Sequence, residues 1–202
     1  MKNIDEDLFN VPIDKHSPKC GCLLVSEPFL EDSFFRHSVV SIMEYDKDNG
    51  AMGSVMNHVS RYKLAELLEN SGIKVDVPVY CGGPLGLDQL YFLHCLGPKI
   101  VPGAREYAPG LYIGGDFGAV IDYLNSEYPV DGCIRFFVGY SSWTVGQLEG
   151  EIDEDTWALA DAPISSEILF SDSGDAYWHR TVSSLGETYR SWLLIPDDMN
   201  SN

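Results

Sequence analysis

Basic residues are scarce in this chain. Lys and Arg number 13 against 31 Asp and Glu, a formal charge of −18 over 202 residues. A field of that sign repels phosphate backbones, so direct nucleic-acid binding would need a local basic face. The basic residues are scattered, without even a short Lys/Arg-rich run, and no such face is expected. Long apolar runs are missing as well. No stretch approaches the 18 or so apolar residues of a membrane span, so no membrane association is expected. Residues 1–19 are polar and acidic, with Asp5, Glu6 and Asp7 ahead of Pro12 and Pro18. They lack both a basic n-region and an apolar h-region, which argues against a secretory signal and for a cytoplasmic protein.

Paired metal-ligand spacings are also wanting. The five cysteines, Cys20, Cys22, Cys81, Cys95 and Cys133, are odd in number and sit in strand-like runs, the pattern of thiols in a reducing compartment. Cys20-Gly-Cys22 is a close pair with no second pair, so small core residues are favoured over a zinc site. Cys81 precedes Gly82-Gly83, whose N–H groups are placed to activate a thiol. Gly82-Gly83-Pro84-Leu85-Gly86 lacks the Gly-Lys-Ser/Thr ending of a phosphate loop and reads as a tight turn bringing two segments close. Gly114-Gly115-x-x-Gly118 is one residue short of a dinucleotide fingerprint, and Asp116 would repel a pyrophosphate, so Asp116 reads as a helix cap. Asp153-Glu154-Asp155 lacks the alternation of a calcium loop. Neither cofactor nor metal is expected.

What is present is an ordinary globular composition, 45% hydrophobic and 12% aromatic, in a chain long enough for one well-buried domain. Strands are expected over Leu23–Glu27, Val39–Met43 and Ala51–Met56, with Asn49-Gly50 as a hairpin turn. Short polar turns between them imply antiparallel neighbours. A helix is expected over Tyr62–Asn70, strands over Val75–Tyr80 and Gln89–Leu96, and a loop over Gly97–Pro109. A strand-to-helix transition follows over Leu111–Leu124, Ile164–Phe170 is apolar at intervals, and a closing helix spans Asp175–Trp192, which Gly186 is placed to end early. Strands first and a few helices mixed in later favour α+β over a doubly wound sheet.

The stretch from Ile134 to Ile152 organises the rest. Ile134, Phe136, Phe137 and Val138 read as a strand buried on both faces, interrupted by Arg135, which must reach solvent or find an acceptor. After Gly139 the period turns helical through Val145, Leu148 and Ile152, with Gln147 and Glu151 on another face, placed to meet Arg135 and Trp143 across the turn. Gly139-Tyr140-Ser141-Ser142-Trp143 nearly matches a serine-hydrolase elbow, but Trp143 stands where the elbow needs glycine, so Ser141 reads as a turn serine.

Gly139 to Glu151, Gly-Tyr-x-x-Trp-x-x-Gly-Gln-Leu-Glu-x-Glu, resembles the signature of the AlgH/YqgE family, a bacterial group of unsettled biochemical activity. Leu23–Pro28, Phe35–Val40, Gly50–Asn57, Val79–Pro84 and Leu93-His94 resemble further family motifs in order, from about Cys20 to Gly186. Ser141 and Ser142 depart from the family's usual Ala and Gly, and His37 interrupts its Arg-Ser pair. The resemblance implies an α+β single domain with a bifurcated, largely antiparallel sheet, part of it barrel-like, flanked by helices. The domain is set at residues 20–195, between a polar extension (1–19) and a polar tail (196–202). The family's transcription-regulator label is likewise an implication of the resemblance.

Matching those motifs is a set of polar and aromatic residues, Arg36, Asn57, His94, Arg135, Trp143, Gln147, Glu149 and Glu151, taken as a candidate pocket. Two functional readings stand. In one, the chain is a non-enzymatic regulatory protein acting through a small ligand or a protein partner. In the other it is an enzyme with Glu149 or Glu151 as acid/base, Arg36 or Arg135 as anion clamp, and His94 or Cys81 assisting; no intact catalytic motif names the catalytic residues. Beside both stands the plain structural account: Arg135 and Glu151 as a fold-specifying ion pair, Trp143 as a core anchor, His94 as a hydrogen-bonded core residue, Arg36 as a solvated arginine and Asn57 as a strand-end residue.

Overall fold

A computed structural model describes residues 17–160 and 169–194. Among them, ten strands form one sheet: β1 (Leu23–Ser26), β2 (Val39–Asp46), β3 (Gly50–Val55), β4 (Val59–Lys63), β5 (Pro78–Cys81), β6 (Leu85–His94), β7 (Arg105–Ala108), β8 (Leu111–Ile113), β9 (Ile134–Trp143) and β10 (Trp157–Ala160). The helices are α1 (Leu64–Leu67), α2 (Phe117–Leu124), α3 (Gln147–Asp153) and α4 (Gly174–Ser184), followed by a 3₁₀ helix over Glu187–Leu194. The fold is α+β with a largely antiparallel sheet; β5 and β9 form a parallel pair.

β9 is the axis of the sheet because both of its edges are used. β6 lines one edge, from Leu85 opposite Tyr140 to His94 opposite Ile134. The other edge is divided: β5 pairs with Phe136–Val138, then β3 pairs with Ser141–Trp143. The sheet therefore forks at Gly139. The turn after β5 fills the fork, where the Gly82 N–H donates to the Val138 carbonyl at 2.9 Å and the Val55 N–H donates to the Gly82 carbonyl at 2.8 Å. Backbone approaches backbone so closely that a Cβ on Gly83 would lie 1.9 Å from the Tyr140 carbonyl carbon. This is the close approach expected of the Gly-Gly-Pro turn.

From β9 the main path runs one way through β3, β2, β1 and β10, and the other through β6, β8 and β7. The two arms curl toward each other without closing. Side chains bridge the gap, with Arg105 of β7 paired to Glu44 of β2 at 2.6 Å and the Ser41 and Tyr107 hydroxyls 3.4 Å apart. Alternation along the strands divides the core. Leu23, Val25, Val39 and Phe137 pack under Trp178 and Tyr177 of α4. Leu24, Val40 and Trp143 face the other way, under Leu148 and Ile152 of α3. Ile134 and Phe136 pack with Val120 and Leu124 of α2 in a third cluster.

Several sequence expectations hold locally. The β2–β3 hairpin turns at Asn49-Gly50, with Gly50 at φ 92° and Asp46 Oδ1 accepting from the Asp48 and Asn49 N–H groups. Asp116 caps α2 by accepting from the Ala119 N–H at 3.0 Å. Gly186, at φ 100°, separates α4 from the 3₁₀ helix. Other expectations are corrected. The chain from Val59 to Lys63 is strand, because it pairs with β5 (Val59 with Tyr80, Lys63 with Pro78), leaving one helical turn over Leu64–Leu67 in place of a helix over Tyr62–Asn70. The segment read as a loop over Gly97–Pro109 contains β7, which pairs with β8 across Pro109-Gly110. β9 runs on through Gly139 to Trp143 because β3 pairs with its last residues. β10 was not foreseen; it pairs with β1, Leu23 opposite Ala160. Residues Ile164 to Ile168, most of the terminal extension and the tail lie outside the described residues.

The fork makes a direct prediction. Gly83→Ala forces Cβ into the Tyr140 backbone and is expected to cost about 3 kcal/mol or more. Urea denaturation will read this as a lower midpoint, whereas Ala at Gly72, where an added Cβ meets nothing within 4 Å but φ is 80°, carries only a backbone penalty.

Candidate functional site

The eight candidate residues fall into distinct neighbourhoods. The first is built on Arg135, which is 3% exposed in β9. A buried guanidinium must place its N–H groups on acceptors. Here those are main-chain carbonyls: Met56 accepts from Nη1 at 2.5 Å, and Phe170 and Asp172 accept from Nη2 at 2.8 Å each. The cation also lies 4.2 Å over the Tyr80 ring and 5.8 Å from that of Tyr177. Burial holds its pKa below the ordinary arginine value, with the neighbouring tyrosines acting in the opposite direction.

Asn57, 1% exposed, binds the same C-terminal segment. Its amide oxygen accepts from the Val39 N–H at 2.9 Å, and its Nδ2 donates to the His37 and Gly174 carbonyls at 2.8 and 3.0 Å. The Gly174 N–H returns a bond to the Asn57 carbonyl at 2.7 Å. His37 stacks on Trp178 with centroids 4.4 Å apart and lies 3.3 Å from Asp175. Arg135 and Asn57 thus clamp the start of α4 to the sheet. Arg36 precedes His37 in this neighbourhood and is itself exposed; its N–H donates to the Asp32 carbonyl at 2.9 Å.

The second neighbourhood is the strand–turn–helix of β9 and α3. Gln147 and Glu151 share a helix face, and Gln147 Nε2 donates to Glu151 Oε1 at 2.9 Å. Glu151 Oε2 accepts from the indole N–H groups of both Trp143 and Trp157 at 2.8 Å. Gln147 Oε1 accepts from the Thr144 N–H at 3.0 Å, closing the turn. Glu149 points elsewhere and accepts from the Tyr45 hydroxyl at 2.6 Å, which pushes the Tyr45 pKa up to about 12. Glu151 therefore meets Trp143 and Gln147 as the spacing implies, while its bonds and those of Arg135 end on different groups. The proposed Arg135–Glu151 ion pair does not form.

His94 is a third, separate place. Its Nε2 lies 3.1 Å from the Gly114 carbonyl, and its Nδ1 accepts from the Leu96 N–H at 3.2 Å. Both contacts are satisfied together by the neutral Nε2–H tautomer. Burial lowers its pKa, against a smaller opposing effect of the Gly114 carbonyl. Cys81 pairs with Val138 across β5 and β9, and burial raises its thiol pKa, the opposite of activation. Ser141 is buried in β9 and donates to the Gly82 carbonyl at 3.2 Å. The hydrogen bonds of Glu149 and Glu151 go to Tyr45, Trp143, Gln147 and Trp157, and those of Arg135 to main-chain carbonyls. Among the described residues, no group of three or more His, Cys, Asp or Glu side chains is placed to hold a metal.

A cleft that the motifs did not point to lies between the β2–β3 hairpin, β7 and the end of β9. Its volume is about 490 Å³, and its walls combine Tyr45, Tyr107 and Tyr140 with Met43 and Met52. Glu44, Asp46 and Glu106 supply carboxylates, and Arg105, its basic lining residue, is already paired to Glu44. Burial pushes the Tyr107 pKa up to about 12. The cleft adjoins the second neighbourhood through Tyr45, which bonds Glu149. Its signals in sequence were faint, since Asp46–Gly50 reads only as a hairpin turn and Arg105-Glu106-Tyr107 falls in a segment that reads as loop. A smaller hollow of about 330 Å³ is lined by Arg135 together with Asp76 and Asp131, carboxylates unsuited to an anion clamp.

A family model described as AlgH-like matches residues 23–190. A UPF0301 protein of Parabacteroides distasonis is 37% identical over 198 residues, covering 96% of each chain. A UPF0301 protein of Bacteroides fragilis is 34% identical over 194 residues, again 96% of each. In solved structures, the fold is similar to a Corynebacterium diphtheriae protein (TM-score 0.73, 21% identity, 92% of this chain and 96% of that one). It is also similar to the AlgH protein of Pseudomonas aeruginosa (TM-score 0.65, 25% identity, 86% and 93%).

Two predictions follow from these contacts. Arg135→Lys supplies one point charge where a planar fork serves three carbonyls, and is expected to destabilise the fold by about 2–4 kcal/mol in urea titrations. For His94, the folded pKa lies below the unfolded value of about 6.5, so its stabilisation is complete above that pH and is lost as pH falls through the folded pKa. Urea midpoints are expected to fall from pH about 7 to about 5, and His94→Gln to flatten part of that slope; half-buried His58, whose pKa burial also lowers, contributes in the same direction.

Proposed function

The chain belongs to the AlgH-like family, and on that premise we propose that it is a cytoplasmic regulatory binding protein that takes up a small organic cation in the cleft between the β2–β3 hairpin, β7 and β9. The observation that carries this reading is the cleft lining: three tyrosines and two methionines around one concavity, with the Asp46 and Glu106 carboxylates in excess of the Arg105–Glu44 pair. Aromatic faces attract ammonium and guanidinium groups, and carboxylates at the rim complete their hydrogen bonds. The overall charge of −18 draws cations toward such a site. An acidic lining repels phosphates and sugar phosphates equally, which places nucleic acid outside this reading.

The motif residues support the site in a different way. Arg135, Asn57, Glu151 and Trp143 hold the sheet, α3 and α4 together, while the Tyr45–Glu149 bond stiffens one wall of the cleft. The enzyme alternative draws less support, since Glu149 and Glu151 bond Tyr45 and two indoles while Arg135 and His94 bond main-chain groups. A ligand-induced change in the wall at Tyr45 would reach α3 directly, giving a regulator its output.

Thermal-shift titration tests the proposal. Spermidine, agmatine and arginine amide are compared with a sugar phosphate at matched ionic strength. A cation at a hundredfold excess over its Kd stabilises the folded state by about 2.7 kcal/mol. A saturable rise in Tm is expected for cations alone, and is lost in Tyr140→Ala and Glu106→Gln. Equal shifts in wild type and variants would assign the effect to charge screening, and no shift would rule the cleft out for these cations.

A further inference from the structure

Neither of two further cysteines lines the cleft; they face each other at the end of the central ladder. β6 and β9 pair as far as His94 opposite Ile134. One step further, the Cys95 N–H donates to the Cys133 carbonyl at 2.9 Å, which extends the register and sets the two residues directly opposite. The Cys133 N–H turns instead to the Val130 carbonyl at 3.1 Å, so the ladder ends on this single bond. Opposite residues of an antiparallel pair project from the same face, with Cα atoms about 4.5–5.5 Å apart. That separation falls inside the Cα range of about 4.4–6.8 Å that a disulfide spans. The sulfurs are turned into one neighbourhood. Cys95 Sγ lies 3.9 Å from the Gly132 carbonyl, on the facing strand. Both thiols lie close enough to the Tyr123 phenol to act, behind burial, in raising its pKa. Both residues are partly exposed, so a small oxidant has access.

We propose that Cys95 and Cys133 are a reversible thiol–disulfide site, oxidised by exchange with a low-molecular-weight disulfide such as oxidised glutathione. In the first step one cysteine thiolate attacks a glutathione sulfur, forming a mixed disulfide and expelling one glutathione thiolate. The second cysteine thiolate then attacks the protein-bound sulfur, expelling the other glutathione. Two protein thiols are oxidised, one glutathione disulfide is reduced to two thiols, and the two protons pass to the departing thiolates. The new bond closes the loop carrying β7, β8 and α2. It also removes the thiol proton from Cys133 beside Tyr123, whose hydroxyl donates to the Pro129 carbonyl at 2.6 Å and so fixes the turn entering β9. Oxidation therefore ties α2 and this turn to the central strand. The site stands independently of the cleft and its ligand.

The test equilibrates the full chain in graded ratios of reduced to oxidised glutathione, quenches with acid, alkylates the remaining thiols and maps the peptides by mass spectrometry. The expected result is a cross-linked pair containing Cys95 and Cys133. Alkylation of the two should disappear in one shared transition that dithiothreitol reverses, and the oxidised form should melt about 5–10 °C higher. Persistent alkylation of both residues across the series would overturn the proposal. So would a stable glutathione adduct on either one in the wild-type chain, or a cross-link formed instead through Cys20, Cys22 or Cys81.

Discussion

The buried guanidinium of Arg135 is the interaction on which the arrangement of this molecule depends. A charge removed from water is normally met by an opposite charge, yet the acceptors here are three peptide carbonyls and two aromatic faces. Carbonyl acceptors have a consequence that a carboxylate would lack, because each belongs to a backbone whose position is then specified. Met56 ends the β3 segment, Phe170 and Asp172 lead into α4, and Arg135 itself stands on β9. One side chain thus locates the central strand, the exit from the fork and the C-terminal helix relative to one another. Asn57 repeats the device from the opposite side with a neutral amide, so the seam is held by side chains that speak to main chain.

Glu151 plays the corresponding part on the other face. Two indole N–H groups share one carboxylate oxygen, which couples Trp143 at the end of β9 to Trp157 at the start of β10. Those strands lie far apart in the sheet order, and α3 bridges them from above. The family signature around Gly139 to Glu151 is therefore read here as a folding device: a glycine that lets two backbones meet, a tryptophan that anchors the turn, and a glutamate that joins two indoles. The cleft lies beside this device and is joined to it by the Tyr45–Glu149 hydrogen bond.

The elements legible in the sequence were those decided by local chemistry. Asn49-Gly50 needs a positive φ, Asp116 needs only the N–H groups three residues on, and Gly82-Gly83 marks a place without room for a Cβ. Elements decided by distant partners were not legible. The leucines of Leu64, Leu67 and Leu68 have helical spacing, but the preceding residues are drawn into strand by an edge of β5 that the local pattern does not reveal. Trp157-Ala158-Leu159-Ala160 has no alternation because both of its faces are buried. The same division runs through the candidate residues. That Arg135 required an acceptor followed from its place in an apolar strand, whereas the acceptors, three carbonyls on two remote segments, follow only from the tertiary fold. The cleft was hidden for that reason too, since it is assembled from three stretches that are unremarkable one at a time.

The position of β9 has a consequence for how the chain reaches this state. The strand at the middle of the sheet is formed by residues 134–143, so β3 and β5, both complete by residue 81, must wait for their shared neighbour. At about 5–20 residues per second, synthesis leaves those two edges without it for several seconds. β1 waits longer still for β10. The nascent chain is thus an open sheet with unpaired margins until its last third emerges, and its fate in the cell depends on how well those margins are shielded from other chains in the interval.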